Sequence, residues 1–206
     1  MKNGRSGVLP EFWDDAAKLS CDSQVLFVAA FDAADGEGLL NWTPGALSLP
    51  PDHAGLAQPY VLKCLASEMR AAGLLLPYWG GRSRQRFAWV INFPRYQDVR
   101  TVARSLIPPP SIQSADVLES YTRRDGFMCH LCGHPVMDPG DHRHGPLTVR
   151  TTRLCASLDH VTPRVRGGTD YPSNIRLSHQ TCNKARGDRP VGVSPSWYAP
   201  TGRAVR

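Results

Sequence analysis

Apolar positions in the first hundred residues recur at helical spacing and then change to a shorter alternation. Residues 12–34 read as helical with a short break. Val25, Leu26, Val28, Ala29 and Phe31 suit a buried face, and Ser23 is placed to cap the helix. Asp35-Gly36-Glu37-Gly38 ends the run, Leu39 to Trp42 is a short strand candidate, and Thr43-Pro44 can open a helical turn. From Pro59 to Ala72 the spacing predicts the strongest helix of this half. It carries Leu62, Leu65, Ala66 and Met69 on one face and has Gly73 as its stop. Leu74 to Trp79, the turn Gly80-Gly81-Arg82-Ser83, and Arg84 to Asn92 predict a β-hairpin with a basic tip. Three helices followed by a hairpin describe a winged helix. Trp13, Trp42, Trp79 and Trp89 all fall in this half and are read as packing residues.

Periodicity then stops. Ser105 to Ser114 (SLIPPPSIQS) contains three consecutive prolines, which favour an extended spacer. Beyond it, Ser114 can cap a helix through Arg124 with an apolar stripe of Val117, Leu118 and Tyr121. Residues 133–157 read as irregular turns plus a strand. The loop from Pro139 to Pro146 holds His142 and His144, read as exposed rather than metal-binding. These breaks divide the chain into a winged-helix-like domain at 1–104, a linker at 105–113, a second domain at 114–190 and a tail at 191–206. The fold class expected is α+β.

Charge changes the picture only in the second half. The chain carries a formal net charge of +6, compatible with a nucleic-acid partner. Before Ser105, eleven Lys/Arg meet ten Asp/Glu; from Ser114 onward, thirteen meet eight. No apolar run approaches the ~20 residues needed to span a bilayer, and the start lacks the apolar core of a signal peptide. A cytoplasmic protein without membrane partners is expected.

The first half resembles the winged-helix modules of phage replication-initiation-like proteins. The resemblance is carried in order by Phe12-Trp13, Leu19-Ser20, Leu26-Phe27, Ala34 to Gly38, Met69 to Leu74 and Asn92 to Gln97. It implies DNA contact by the last helix and the hairpin, with Arg82 and Arg84 as candidates, or docking onto replication or packaging proteins.

Six cysteines without an export signal point away from a disulfide framework. Cys129 and Cys132 form a CxxC knuckle, and His179 and Cys182 form an HxxC pair near a helix start. Together they offer the four ligands of a structural Zn2+. His130 and His134 flank the knuckle and are set aside. Cys155 reads as a small apolar strand residue.

Between the two pairs lies LDHVTPRVRGGTDYPSNIRLSHQTCNKARG. With the CHLC knuckle it resembles the HNH endonucleases, the ββα-metal or His-Me finger fold, across residues 117–189. The resemblance implies a zinc-stabilised domain that cuts DNA by phosphodiester hydrolysis, leaving a 5′-phosphate and a 3′-hydroxyl. It implies His160 as general base, Asp159 and the Asn183 oxygen as ligands of one Mg2+ or Mn2+, and Asn174 as a brace for the loop. His179 stands where many members have Cys, and Asn183 where the last His is expected. The runner-up is a zinc-stabilised DNA-binding or docking protein without catalysis.

Two geometric expectations follow. Cys182 and Asn183, adjacent on a helix, lie about 100° apart, so one can face zinc and the other the substrate. Asp159 and His160 are adjacent on a strand, so both can reach one phosphate only at a twist, bulge or strand end. Arg166, Lys184 and Arg186 are the expected phosphate contacts of this domain.

Overall fold

The computed structural model describes residues 8–81, 84–96, 105–137 and 154–192. The chain divides into two compact units, 1–111 and 112–206.

The first unit builds its core from helices packed on a small sheet. Helix α1 (Pro10–Ala16) buries Phe12, and α2 (Cys21–Ala33) buries Leu26, Phe27, Ala30 and Phe31. Phe12 stacks on Phe27 with ring centroids 5.1 Å apart and meets Phe31 at 4.8 Å. Apolar residues surround most of α2, so it lies inside the unit rather than on one side of it. Its cap differs from the one expected. The helix begins at Cys21 behind Ser20, and Ser23 lies within its first turn. Glu68 supplies the cap from another helix: its carboxylate accepts from Ser20 N (2.6 Å), Ser20 Oγ (2.7 Å) and Ser23 Oγ (2.6 Å). A carboxylate at a helix N-terminus satisfies otherwise orphaned donors and opposes the positive dipole end.

Strand β1 (Leu39–Asn41) follows a turn in which Asp35 Oδ1 accepts from Glu37 N and Leu39 N. Short 3-10 turns at Pro44–Ala46 and Pro51–Ala57 lead to α3 (Pro59–Ala71), which buries Leu62, Ala66 and Met69. Strands β2 (Leu75–Gly80) and β3 (Gln85–Val90) form the hairpin, and α4 (Phe93–Tyr96) closes the unit. The sheet is antiparallel in the order β1-β3-β2, with Leu40 opposite Ala88 and Leu75 opposite Val90. Gly38 needs to be glycine twice over. Its φ is +79°, and a Cβ would stand 2.7 Å from Phe93 Cβ.

The Pro-rich segment does not leave the first unit at once. Ser105 is buried and donates to Asp35 Oδ2, and the Tyr78 hydroxyl donates to Pro108 O at 2.7 Å. Trp42 and Trp89 are core residues as read from the sequence, whereas Trp13 and Trp79 are exposed.

The second unit is smaller and is organised by polar ties. Helix α5 (Ala115–Arg124) buries Val117 and Tyr121. Its last residue, Arg124, donates to the carbonyls of Pro172 (2.9 Å) and Ile175 (2.6 Å). Asp125 Oδ2 accepts from Leu177 N at 2.7 Å. Strands β4 (Ala156–His160) and β5 (Ile175–His179) pair antiparallel, and α6 (Gln180–Arg186) follows without a loop. Met137 bridges to Cys155, with Met137 N donating to Leu154 O (3.0 Å) and Ala156 N to Met137 O (3.1 Å). His142 and His144 lie outside the described residues. Among the described residues no helix is long and apolar enough to cross a membrane.

Candidate active site and metal centre

Cys129 and Cys132 bracket a tight turn closed by Gly133 N donating to Cys129 O at 2.8 Å; Gly133 has φ +71°. Opposite this knuckle, β5 ends on His179, and α6 brings Cys182 round one turn later. The four ligand atoms all lie within 4.8 Å of one another. Cys132 Sγ and Cys182 Sγ stand 3.3 and 3.4 Å from His179 Nδ1. A tetrahedron with ordinary Zn–S and Zn–N lengths has S···N edges of about 3.5 Å, so the set fits zinc. His179 Nε2 donates to Pro135 O at 2.9 Å, which fixes the tautomer and leaves Nδ1 turned to the Cys132 and Cys182 sulfurs. His179 N donates to Cys129 Sγ at 3.3 Å.

Electrostatics favour a thiolate at this knuckle. Hydrogen bonds from Cys182 and then from His179 outweigh burial and hold Cys129 down to about 3. Burial pushes Cys132 up, and the hydrogen bond with Cys129 raises His179. Among the described residues this is the one group of three or more side chains disposed to hold a metal.

The loop between β4 and β5 is held by Asn174. Its Oδ1 accepts from Thr162 N (2.8 Å), and its Nδ2 donates to Thr162 O (3.1 Å) and Thr169 O (2.8 Å). The two glycines of the loop have separate reasons. Gly167 adopts φ +84°, whereas a Cβ on Gly168 would fall 1.7 Å from Thr162 O. Backbone and amide thus close tightly on one another, and Asn174 sits with the loop rather than with a metal.

His160 is the last residue of β4, at the mouth of this loop. Its Nε2 lies 2.7 Å from Asp170 Oδ1. Arg164 reaches both: its Nε is 3.2 Å from His160 Nε2 and 3.0 Å from Asp170 Oδ1, and its NH2 lies 2.8 Å from each Asp170 oxygen. A carboxylate only accepts, so His160 Nε2–H donates to Asp170 and the Arg164 Nε–H goes to the same carboxylate rather than to the ring, which leaves His160 Nδ1 as the nitrogen with a lone pair. Burial raises Asp170, but the bonds from His160 and Arg164 prevail and keep its carboxyl below the usual range. Asp170 did not stand out in the sequence. The available signal was an acid lying between Gly167-Gly168 and Asn174, ten residues after His160.

Asp159 points the other way. The strand pairing is regular through Asp159↔Arg176 and His160↔Ile175, with no bulge, so consecutive side chains take opposite faces. Asp159 is 1% exposed. Its Oδ1 accepts from Arg186, and its Oδ2 lies 2.7 Å from His130 Nε2. Asn183 donates its amide to Leu158 O (2.8 Å) and Ser157 Oγ (3.1 Å). As disposed, Asp159 does not fit as a ligand of the Mg2+ or Mn2+ expected there, while the Asn183 bonds engage its amide nitrogen and not its oxygen. A buried carboxylate already neutralised by a guanidinium offers no open oxygen to a hard cation.

The expected phosphate contacts divide. Arg166 and Lys184 are exposed. Arg186 is a correction: it is buried, with NH2 on Asp159 and on His160 O and NH1 on Arg189 O, so it cannot reach a phosphate. In the first unit Arg84 is exposed with φ 48°, and Arg82 lies outside the described residues. His130, set aside as a zinc ligand, holds Asp159 instead.

No curated protein and no solved structure matches the chain. The family model described as HNH endonuclease does match, at residues 129–189, an interval that runs from Cys129 to three residues past α6 and contains His160, Asp170 and Asn174. The second unit therefore carries an HNH endonuclease domain.

Proposed function

We propose that the chain is a DNA endonuclease whose second unit hydrolyses phosphodiester bonds with His160 as general base. The observation that carries this reading is the His160–Asp170 pair, set at a strand end beside the Asn174-braced loop within the matched interval. Asp170 orients the imidazole, and Nδ1 takes a proton from water. The water oxygen bonds to phosphorus as the bond from phosphorus to the 3′ oxygen breaks. The leaving oxygen is protonated from solvent, giving a 5′-phosphate and a 3′-hydroxyl. Arg164, beside His160, and the exposed Arg166 and Lys184 carry positive charge that suits the phosphates. Dependence on Mg2+ or Mn2+ belongs to the reading through the family match alone. The zinc cluster is structural in it, since all four ligands are protein side chains.

The first unit has the order helix–helix–strand–helix–hairpin, which supports the winged-helix reading and docking on DNA. Lys63 and Arg70 are exposed on α3, while Glu68 between them is turned to the start of α2. The alternative is a non-catalytic DNA-binding or replication-complex docking protein. Plasmid DNA separates the two. Nicking that needs a divalent ion and is lost in His160→Ala, with zinc content and fold retained, is expected. Equal cutting by wild type and variant would end the catalytic assignment.

A further inference from the structure

One face of the first unit's sheet runs on past the core. Along β3, Val90, Ala88 and Arg86 share a face, opposite Leu75, Pro77 and Trp79 of β2. Val90, Ala88 and Leu75 are buried in the core, but two residues further the same face carries Trp79 and Arg86. Trp79 is 60% exposed. The Arg86 guanidinium carbon lies 4.8 Å from the centroid of its ring. Beside them opens a groove of about 480 Å³, lined also by Asn41, Thr43, Arg84 and Gln85.

A single exposed aromatic is ordinary. This one comes with three further features that agree. The charged residues lining the groove are Arg84 and Arg86, and no acidic side chain lines it among the described residues. Amide and hydroxyl groups stand at its wall. The ring is steadied by Arg86, so ordering it on binding costs little side-chain entropy. A planar face, positive charge and hydrogen-bonding groups together complement a nucleotide: base, phosphate and base edge. A duplex keeps its base faces stacked inside and would use only the arginines. An unpaired strand offers all three. An acidic peptide would answer the arginines and leave the indole without a planar partner.

We propose that this groove binds single-stranded nucleic acid, with an unpaired base stacked on Trp79 and backbone phosphate at Arg84 and Arg86. The proposal stands on the first unit alone, so a chain that cuts nothing can still satisfy it. The test is fluorescence anisotropy of labelled oligothymidylate and of a duplex of equal length against the full chain, without added divalent ions. Trp79→Ala should weaken oligothymidylate binding by about tenfold or more, the loss of one stacked base, and leave duplex affinity unchanged. Trp79→Phe should restore most of it. Arg84→Ala should lower the salt dependence by about one ion. If Trp79→Ala fails to fold by circular dichroism, Trp79→Leu keeps apolar bulk without a ring and should show the same split. The proposal is overturned if wild type does not bind oligothymidylate, if the ring variants leave its affinity unchanged, or if single strand and duplex weaken alike. Competition by polyglutamate as strong as by oligothymidylate of matched charge would also overturn it.

Discussion

One nitrogen of Arg186 holds both the Asp159 carboxylate and, at 2.6 Å, the backbone carbonyl of His160. The guanidinium on the last helix therefore fixes the end of the strand that presents His160. Removing one partner of a buried ion pair leaves the other charged and unsolvated, at a cost of about 3–5 kcal/mol. Arg186→Ala and Asp159→Ala should each destabilise the second unit by that order, and the double variant by less than their sum. Urea unfolding followed by circular dichroism measures all three. Additive losses would show that the pair is not coupled. Asp159→Asn with full stability and a changed Mn2+ requirement would instead restore Asp159 to the metal.

Asp170 should act on the reaction through His160. A general base contributes about 10²–10⁴-fold, and misorienting it forfeits part of that. Asp170→Asn should lower the rate of plasmid nicking by about tenfold or more and move the low-pH limb of the rate profile. DNA affinity should remain. A profile unchanged in shape and height would remove Asp170 from the site.

Zinc should be present at one ion per chain by metal analysis. Cys129→Ser or Cys182→Ser should lose it and unfold the second unit, while the unfolding transition of the first unit persists. His179→Cys should keep zinc, since thiolate and imidazole are both ligands it accepts. Because binding displaces protons from the thiols, zinc affinity should fall as the pH is lowered. Retention of full zinc in either Ser variant would break the ligand set.

Glu68 makes the first unit acid-sensitive. The hydrogen bond from Ser20 N, joined by those of the Ser23 and Ser20 hydroxyls, holds its carboxyl below its usual 4.5. A depressed folded-state value means stability fully present above 4.5 and lost as the pH falls through the lower folded value. The group is largely solvated, so the amount is below about 1 kcal/mol. Glu68→Gln should be less stable than wild type at neutral pH by that order and indistinguishable from it at the acid end. A constant difference across the range would mean that charge is not the cause.

What could be read from the sequence was what is local. The CxxC and HxxC pairs, the Asp-His step and the hairpin all declare themselves within a few residues. Ser23 misled because any serine near a helix start can cap it; the cap comes from Glu68, forty-five residues away. Arg186 misled because a cation on a short helix beside a glycine looks like a surface charge. The clue was Asp159: one of two adjacent strand residues must face inward, and a buried carboxylate requires a partner. His130 and Asp170 were hidden for a similar reason, since each matters through a residue distant in sequence.

The bridge between Met137 and Cys155 brings the chain back to the point from which it left. Its two backbone hydrogen bonds, donated by Met137 N and Ala156 N, tie together positions eighteen residues apart in sequence. Closure entropy grows only with the logarithm of length, at about 0.6 kcal/mol for each doubling. The closure entropy that this bridge must overcome is therefore set only weakly by the number of residues between its two ends.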